Sequence, residues 1–347
     1  MSDQLEQMQA FVSQAYAEKQ PIAITGSGSK AFYGGQSSGR KLDTTRHSGI
    51  LSYEPSELVI TARAGTPLAE IETVLREHKQ MLAFEPPHFG PAATLGGSIA
   101  CGFSGPRRAT AGAARDFLLG ANIINGKGQY CRFGGQVMKN VAGYDLSRLM
   151  AGSLGTLGVI MEVSLKVLPI PACELTQQFE ISAEGAIRQL QHWANNNYPI
   201  SASCHVDNIL TARFSGGESR VMEGIDKTGG ETLKTADDFW LSIREQTHPF
   251  FVQTEPLWRI SLPPATLSAT PTRCLTEWLG GLRWIFSNQD NDKVFNENTM
   301  SYSILFRNNN NIKPNMIPDS LMPLHSRIKH AFDPAGILNP GKLTDQY

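Results

Sequence analysis

The placement of glycine constrains this chain more than any other feature. "PIAITGSGSKAF" carries an apolar run at 21–25 straight into "GSGSKA", and "TLGGSIACGFSGPRR" puts four glycines, a proline and paired arginines into residues 94–108. Without a Cβ, glycine lets the backbone take positive φ or come close to a ligand. "GSGSKA" fits G-x-G-x-x-A after a strand, the start of a nicotinamide-binding Rossmann unit, but that fingerprint needs a helix opening at its third position. "SKAFYGGQSSGR" supplies a polar tract with no helical face, so the Rossmann reading fails on context. The alternative is a nest, in which successive backbone N–H groups turn inward on phosphate oxygens. Hydroxyls of Ser27, Ser29, Thr94 and Ser98 add donors. Tight turns alone would use the same glycines. Two such loops, each after a strand-like run, point to a dinucleotide approached from both sides. Arg107 and Arg108 then stand as phosphate or flavin partners, with solvated surface arginines as the plain alternative.

At 347 residues the chain exceeds the usual size of one core, and two domains are expected. Lys and Arg total 31 against 32 Asp and Glu, a balance that offers no general field for nucleic acid or an anionic membrane. The five cysteines, at 101, 131, 173, 204 and 274, form no C-x-x-C pair, which argues against an iron–sulfur or structural zinc site in this chain. The first residues, "MSDQLEQMQAFVSQAYAEKQ", carry acidic side chains where a signal peptide has basic ones, and no run reaches membrane-spanning length. The expectation is a soluble protein of a reducing compartment, the cytoplasm, without membrane insertion of its own.

Leu5, Met8, Phe11, Val12 and Ala15 have helical spacing, so a helix is expected over 5–19. "PIAIT" and "LVITARAG" read as strands running into glycine, and "TPLAEIETVLREHKQ" as a helix with Thr66 as N-cap, Pro67 in its first turn, and Leu68, Ile71, Val74 and Leu75 inward. Two strands flank the turn at 125–128, where glycine supplies positive φ. "LGVIMEVSLKVLPIP" begins as a strand and closes on Pro169 and Pro171, which sets a boundary there. Beyond it come tryptophans and helix-like segments of a mixed second domain. The polar run "RNNNNIKPN" (307–315) reads as a solvated loop, and the final segment as a helix stopped by Asp-Pro and two tight turns.

A third glycine block, 134–160, ends in "GSLGTLGVI", which either packs against a ring of the cofactor or serves sheet packing alone. With "YEPSELVITARAGTPLAEIE", "FEPPHFGPAATLGGSIACGFSGPRR", "VMKNVAGYDLSRLMAGSLGTLGVI" and "FDPAGILNPGK", the chain resembles flavin-binding oxidoreductases of the vanillyl-alcohol oxidase type. Within them it is similar to the family of FAD-binding E-type subunits of bacterial glycolate oxidases, through "EPPHFGPAATLGG", "GPRRATAGAARDFLLG" and "FGGQVMKNVAGYDLSRLMAGS".

The resemblance implies an α+β fold: a PCMH-type FAD-binding domain of two subdomains over 1–171, a smaller α+β cap over 172–320, and a tail, 321–347, returning to the FAD domain. It implies a first pyrophosphate loop of Gly26, Ser27, Gly28, Ser29 and Lys30, and a second of Thr94, Leu95, Gly96, Gly97 and Ser98 with Cys101, Gly102 and Gly105. Arg107 and Arg108 follow these. Pro86 and Pro87 fall near the flavin, and Gly155, Gly158, Val159 and Ile160 under the adenine end. No histidine lies in 26–30 or 94–105, so dissociable, non-covalent FAD is expected. Leu154 departs from relatives that have glutamate there, which puts a polar role in doubt.

Oxidation of a 2-hydroxy acid needs a proton acceptor, a cation or metal for the carboxylate, and flavin to take the hydride. Catalytic relatives use an H-x-G-D-G-N-x-H metal segment that is absent here, so no metal is expected and no catalytic residue is assigned. "SCHVDN" (203–208) is the nearest ligand candidate, while His88, His248, His325 and His330 stand alone. Arg213 and Arg259 are carboxylate-clamp candidates that nothing ranks above other arginines, and the resemblance brings Lys139 and Tyr144 near the flavin. It implies a glycolate-to-glyoxylate complex with a D-type FAD subunit that oxidises substrate and an iron–sulfur subunit, any membrane association coming through the complex. The alternative is an autonomous FAD-dependent dehydrogenase of a small 2-hydroxy acid such as D-lactate.

Overall fold

The computed structural model describes residues 3–135, 145–267, 273–288, 301–307 and 317–346. Lys139 and Tyr144, and all of the "RNNNNIKPN" run except Arg307, lie outside the described residues. In chain order the first half holds α1 (Asp3–Glu18), β1 (Ile22–Thr25), β2 (Arg40–Asp43), β3 (Ile50–Glu54), β4 (Val59–Arg63), α2 (Leu68–Glu77) and β5 (Gln80–Met81). It continues with α3 (Leu95–Cys101), α4 (Arg108–Ala111), α5 (Ala114–Phe117), β6 (Leu118–Ile124), β7 (Tyr130–Gly134), β8 (Val159–Lys166) and β9 (Leu168–Pro169).

The second half opens with β10 (Cys173–Glu180), α6 (Ala183–Asn195), β11 (Ile200–Val206), β12 (Ile209–Gly216), α7 (Glu218–Thr228), β13 (Glu231–Thr232) and α8 (Ala236–Arg244). It ends with β14 (Leu257–Ser261), β15 (Cys274–Glu277), β16 (Leu282–Phe286), β17 (Tyr302–Arg307) and α9 (Met322–Phe332).

The strands sort into a parallel pair, β1 with β2, a five-stranded sheet in the order β3-β4-β8-β6-β7, and an eight-stranded sheet in the order β13-β10-β12-β11-β15-β16-β14-β17. A short β5-β9 pair stands apart. Every pairing in the two large sheets is antiparallel. With the helices this is an α+β architecture.

In β8 side chains alternate between faces, and a bulge at Met161, where the pairing with β6 jumps from Ile160 to Glu162, reverses the alternation beyond it. Val159 and Met161 pack with α1 and β1, while Ile160, Val163 and Leu165 join a core with Leu68, Ile71 and Leu75 of α2 and Leu95 and Ile99 of α3. The expected α1, β1 and the β6–β7 hairpin are observed, the hairpin closing on Gly128 at φ +78°. Val74 is half-buried, not core. The expected cap of α2 is corrected: Pro67 occupies the N-cap, and the Thr66 hydroxyl instead donates to the carbonyl of Gly49 at 3.2 Å and accepts from its N–H at 2.9 Å.

The C-terminal segment crosses back to the first half. Leu338 bridges Ile22 in parallel, and the Lys329 ammonium, buried, donates to Asp333 at 2.7 Å, to the Thr156 carbonyl at 2.8 Å and to the Leu338 carbonyl at 2.9 Å. Asp333 in turn accepts from the Leu338 N–H at 2.7 Å. A fully buried ammonium is tolerable only with its donors satisfied, and these contacts satisfy three.

Candidate FAD cleft

The loop at 26–30 follows β1 because the β1–β2 pairing stops at Thr25, and Gly28 turns the chain at φ +79°. No backbone N–H of residues 26–30 donates to a protein acceptor among the described residues. Such a row of unengaged amides is what a phosphate nest requires.

The second loop is corrected in form. Residues 95–101 are the helix α3, capped by Thr94, whose hydroxyl accepts from the Gly97 N–H at 3.3 Å. Its first amides are partly engaged: Leu95 N–H donates to the Thr66 carbonyl at 2.9 Å and Gly96 N–H to that of Ala64 at 2.7 Å. Gly96 is needed for packing, since a Cβ there would meet the Ala64 Cβ at 2.6 Å. A Cβ on Gly26 would meet the Thr94 hydroxyl at 2.9 Å, so the two glycine segments touch.

Between them lies a cleft of about 840 Å³, counting its open mouth. Of the residues expected there, Gly26, Ser27, Gly28, Ser29, Lys30, Thr94, Gly96, Gly97, Cys101, Gly155, Gly158 and Ile160 line it. Ile24, Ala64, Ala100 and Leu154 give it apolar walls. The others lie elsewhere. Leu95 and Val159 are core, Ser98 is fully buried with its hydroxyl lacking a partner among the described residues, and Gly102 ends α3 at φ +65°. Pro86 and Pro87 are buried in the segment between Glu85 and Phe89, both at positive φ.

Arg107 and Arg108 point to neither phosphate nor cleft. Arg107 is buried in a four-membered ion network: Nε to Glu85 at 3.4 Å, a terminal nitrogen to Glu174 at 2.5 Å, with Arg213 reaching Glu85 at 2.7 Å and Glu174 at 3.4 Å. Burial works against the Glu174 charge, yet Arg213 and Arg107 bring it below the ordinary carboxylate range. Arg108 lies over the Trp278 ring at 4.3 Å, and the Trp278 indole donates to the Gly105 carbonyl at 3.0 Å. Segment 105–108 therefore ties the first half of the chain to the eight-stranded sheet.

Two lining residues escaped the sequence reading. The Asn339 side chain accepts from the Ile24 N–H and donates to the Leu154 carbonyl, both at 2.7 Å, which holds the tail against the cleft. Lys342 lines the cleft with no carboxylate within 4.0 Å among the described residues, and burial pulls its ammonium below the usual lysine range. "NPGK" was the only available signal for both. Lys30, the other lining cation, is lowered by burial and donates to the His88 carbonyl at 3.1 Å. Burial also pushes the Cys101 thiol up to about 11. Free amides on one side, two cations and apolar walls on the other fit a dinucleotide with a pyrophosphate and flat rings. His205, from "SCHVDN", is buried and donates its ring N–H to the Ile181 carbonyl at 2.9 Å.

A second cavity, about 390 Å³, opens where the first half meets the eight-stranded sheet. Segment 101–105 contributes to both spaces, Cys101 to the cleft and Phe103, Ser104 and Gly105 to the cavity. Arg244, Arg259 and Glu277 are its charged lining.

Comparison with known proteins agrees with this geometry. The family described as "FAD binding domain" matches residues 2–134 and that described as "FAD linked oxidases, C-terminal domain" matches 306–343, which defines an FAD-linked oxidoreductase. The glycolate oxidase subunit GlcE of Escherichia coli (strain K12) is 46% identical over 336 residues, covering 96% of this chain and 95% of that protein, and the chain belongs to its family. The glycolate oxidase subunit GlcD of Bacillus subtilis (strain 168) is 33% identical over 128 residues, 37% of this chain and 27% of GlcD. The solved structure of p-cresol methylhydroxylase with substrate bound superposes with a TM-score of 0.73 at 14% identity, over 98% of this chain and 87% of that one, a likeness of fold. FAD is the cofactor of the family. Among the described residues no helix is long and apolar enough to cross a membrane.

Proposed function

We propose that this chain is the FAD-binding subunit of a multisubunit glycolate oxidase that converts glycolate to glyoxylate. The observation that carries the reading is the match to GlcE along nearly the whole of both chains. Residues 26–30 and the Thr94–Gly97 turn hold the pyrophosphate, Lys342 offsets its charge, and Gly155, Gly158 and Ile160 lie under the adenine end. The flavin end extends toward segment 101–105. FAD supplies hydride and electron transfer when bound; the chain's own residues bind it without a covalent bond and shield it from water.

The partners are a D-type FAD subunit, which performs the oxidation, and an iron–sulfur subunit that receives the electrons, while this chain relays electrons or supports assembly. The complex is cytoplasmic, with any membrane association coming through its partners. Residues 1–171 form the FAD-binding domain, 172–320 the cap, and 321–347 the returning tail. The autonomous dehydrogenase of D-lactate or a similar acid finds less support, since the D-lactate dehydrogenase of Anaerostipes hadrus matches over only 48% of this chain.

The test is co-expression with the D-type and iron–sulfur subunits, followed by anaerobic visible spectra. The expected result is stoichiometric FAD on the chain, co-purification, and bleaching by glycolate that needs the D-type partner. A chain that takes up no FAD, or never co-purifies, overturns the reading.

A further inference from the structure

Two buried lysines of this chain are held in opposite ways. Lys329 directs its three donors at the Asp333 carboxylate and two carbonyls, so its charge is answered within the fold. Lys30, also buried, donates to the His88 carbonyl at 3.1 Å and to the Ser29 hydroxyl at 3.4 Å, both uncharged acceptors. Its third donor has no partner among the described residues, and no carboxylate of theirs comes within 4.0 Å. A buried ammonium left in that condition costs free energy that two neutral contacts do not return, so its place in the cleft needs a reason.

The direction of the side chain separates it from the phosphate nest. Residues 26–30 offer backbone amides to the cleft, and Gly155, Gly158 and Ile160 line its adenine side. The Lys30 side chain instead reaches the His88 peptide, and its ammonium lies 5.9 Å from the centre of the Phe89 ring. Phe89 lines the second cavity, so Lys30 stands where the two spaces adjoin. The peptide it holds is fixed from the other side by Glu245, just after α8, which accepts from the His88 N–H at 3.0 Å and the Phe89 N–H at 2.7 Å. Burial lowers the Lys30 ammonium, while Cys101 and Glu245 act in the opposite direction. The Cys101 thiol, pushed up to about 11, keeps its proton at neutral pH, so it does not answer the charge.

We propose that the Lys30 ammonium serves the flavin ring and not the pyrophosphate, and that its charge favours reduced over oxidised cofactor in this chain. The inference rests on the FAD reading of the cleft and deepens it. A flavin ring that has gained two electrons and one proton carries a negative charge that the oxidised ring lacks. A fixed cation beside the ring, in a site closed to water, stabilises that charge. The pyrophosphate has the same charge in both redox states, so the amides of 26–30 and Lys342 hold the two forms alike. The two cleft lysines therefore divide the work: Lys342 retains the cofactor, and Lys30 sets how readily it accepts electrons. A ring so tuned draws electrons from a partner more readily than one without the cation, which suits a relay.

The test is the midpoint potential of the FAD-loaded full chain, from an anaerobic titration against reference dyes, measured beside the affinity for oxidised FAD. Loading of the wild type is scored first, and failure there speaks against the cofactor reading, not against the role of Lys30. Expected in Lys30→Met is a reduction equilibrium about tenfold less favourable, which is about 30 mV downward for a two-electron couple, with little change in affinity for oxidised FAD. Lys30→Arg keeps the charge and restores the potential. Glu245→Gln removes a carboxylate charge that opposes the ammonium and moves the potential upward. Lys342→Met weakens both forms of FAD and leaves the potential where it was. If Lys30→Met does not fold, Lys30→Gln carries the same test, since its amide can keep the His88 hydrogen bond without the charge. A folded Lys30 variant without the charge that has the wild-type potential overturns the proposal. So does one whose hold on oxidised FAD falls as far as in Lys342→Met, because the ammonium then serves the pyrophosphate.

Discussion

Lys342 illustrates how one side chain serves the cleft without being required by the fold. It is held at the cleft by its backbone, through Gly35 N–H to the Lys342 carbonyl at 2.9 Å, while its ammonium meets no carboxylate among the described residues. Lys342→Met is expected to weaken FAD by about tenfold, the worth of one charge-assisted contact, and to flatten the salt dependence of binding, measured by flavin fluorescence. Gly97 acts differently. A Cβ there meets only the Thr94 hydroxyl, at 3.1 Å, so Gly97→Glu folds but places a carboxylate where phosphate approaches. The purified variant should be colourless with unchanged circular dichroism.

Glu277 makes a prediction about pH. Its folded pKa, raised to about 7, exceeds the ordinary carboxylate value, so its contribution is fully present below that ordinary value and is lost as pH rises through about 7. Glu277→Gln should match wild type in urea unfolding at pH 5 and exceed it at pH 8, on the order of 3 kcal/mol. Equal stability at both values would mean that the carboxyl titrates normally.

At the scale of elements, α3 marks the limit of what the residues disclose. A Gly-Gly pair has poor helix propensity, and "TLGGSIACG" reads naturally as a loop. The helix forms because Gly96 must pass within contact of Ala64 and because Thr94 caps it. Thr94→Ala should cost about 1 kcal/mol in thermal unfolding and also weaken FAD. By contrast α1, β1 and the hairpin on Gly128 were legible, since period and turn chemistry are local. The roles of Arg107 and Asn339 were not legible: each takes its role from a partner far along the chain. Arg107 finds Glu174, and Asn339 finds Ile24. A local window carries no trace of these partners. The role of Asn339 is open to test: Asn339→Ala should destabilise by about 1–3 kcal/mol and loosen FAD, because it leaves the Leu154 carbonyl unpaired.

For the whole molecule, the paired arginines of 107–108 prove to be a fastening between halves. Arg107 ties Glu85 to Glu174, and Arg108 meets Trp278. Arg107→Met leaves the half-buried Glu85 and the more exposed Glu174 to Arg213 alone, a loss of about 1–3 kcal/mol. Limited proteolysis should then cut between the halves sooner than in wild type.

The returning tail also sets a schedule. Residues 338–342 reach the cleft only after the ribosome has added everything that follows β8, at about 5–20 residues per second a wait of roughly 10 to 35 s. Throughout that interval the nascent first half exposes its amide nest with the Asn339 and Lys342 side of the pocket missing. A chain cut before residue 338 is therefore expected to lose its colour, which the visible spectrum of the purified truncation checks.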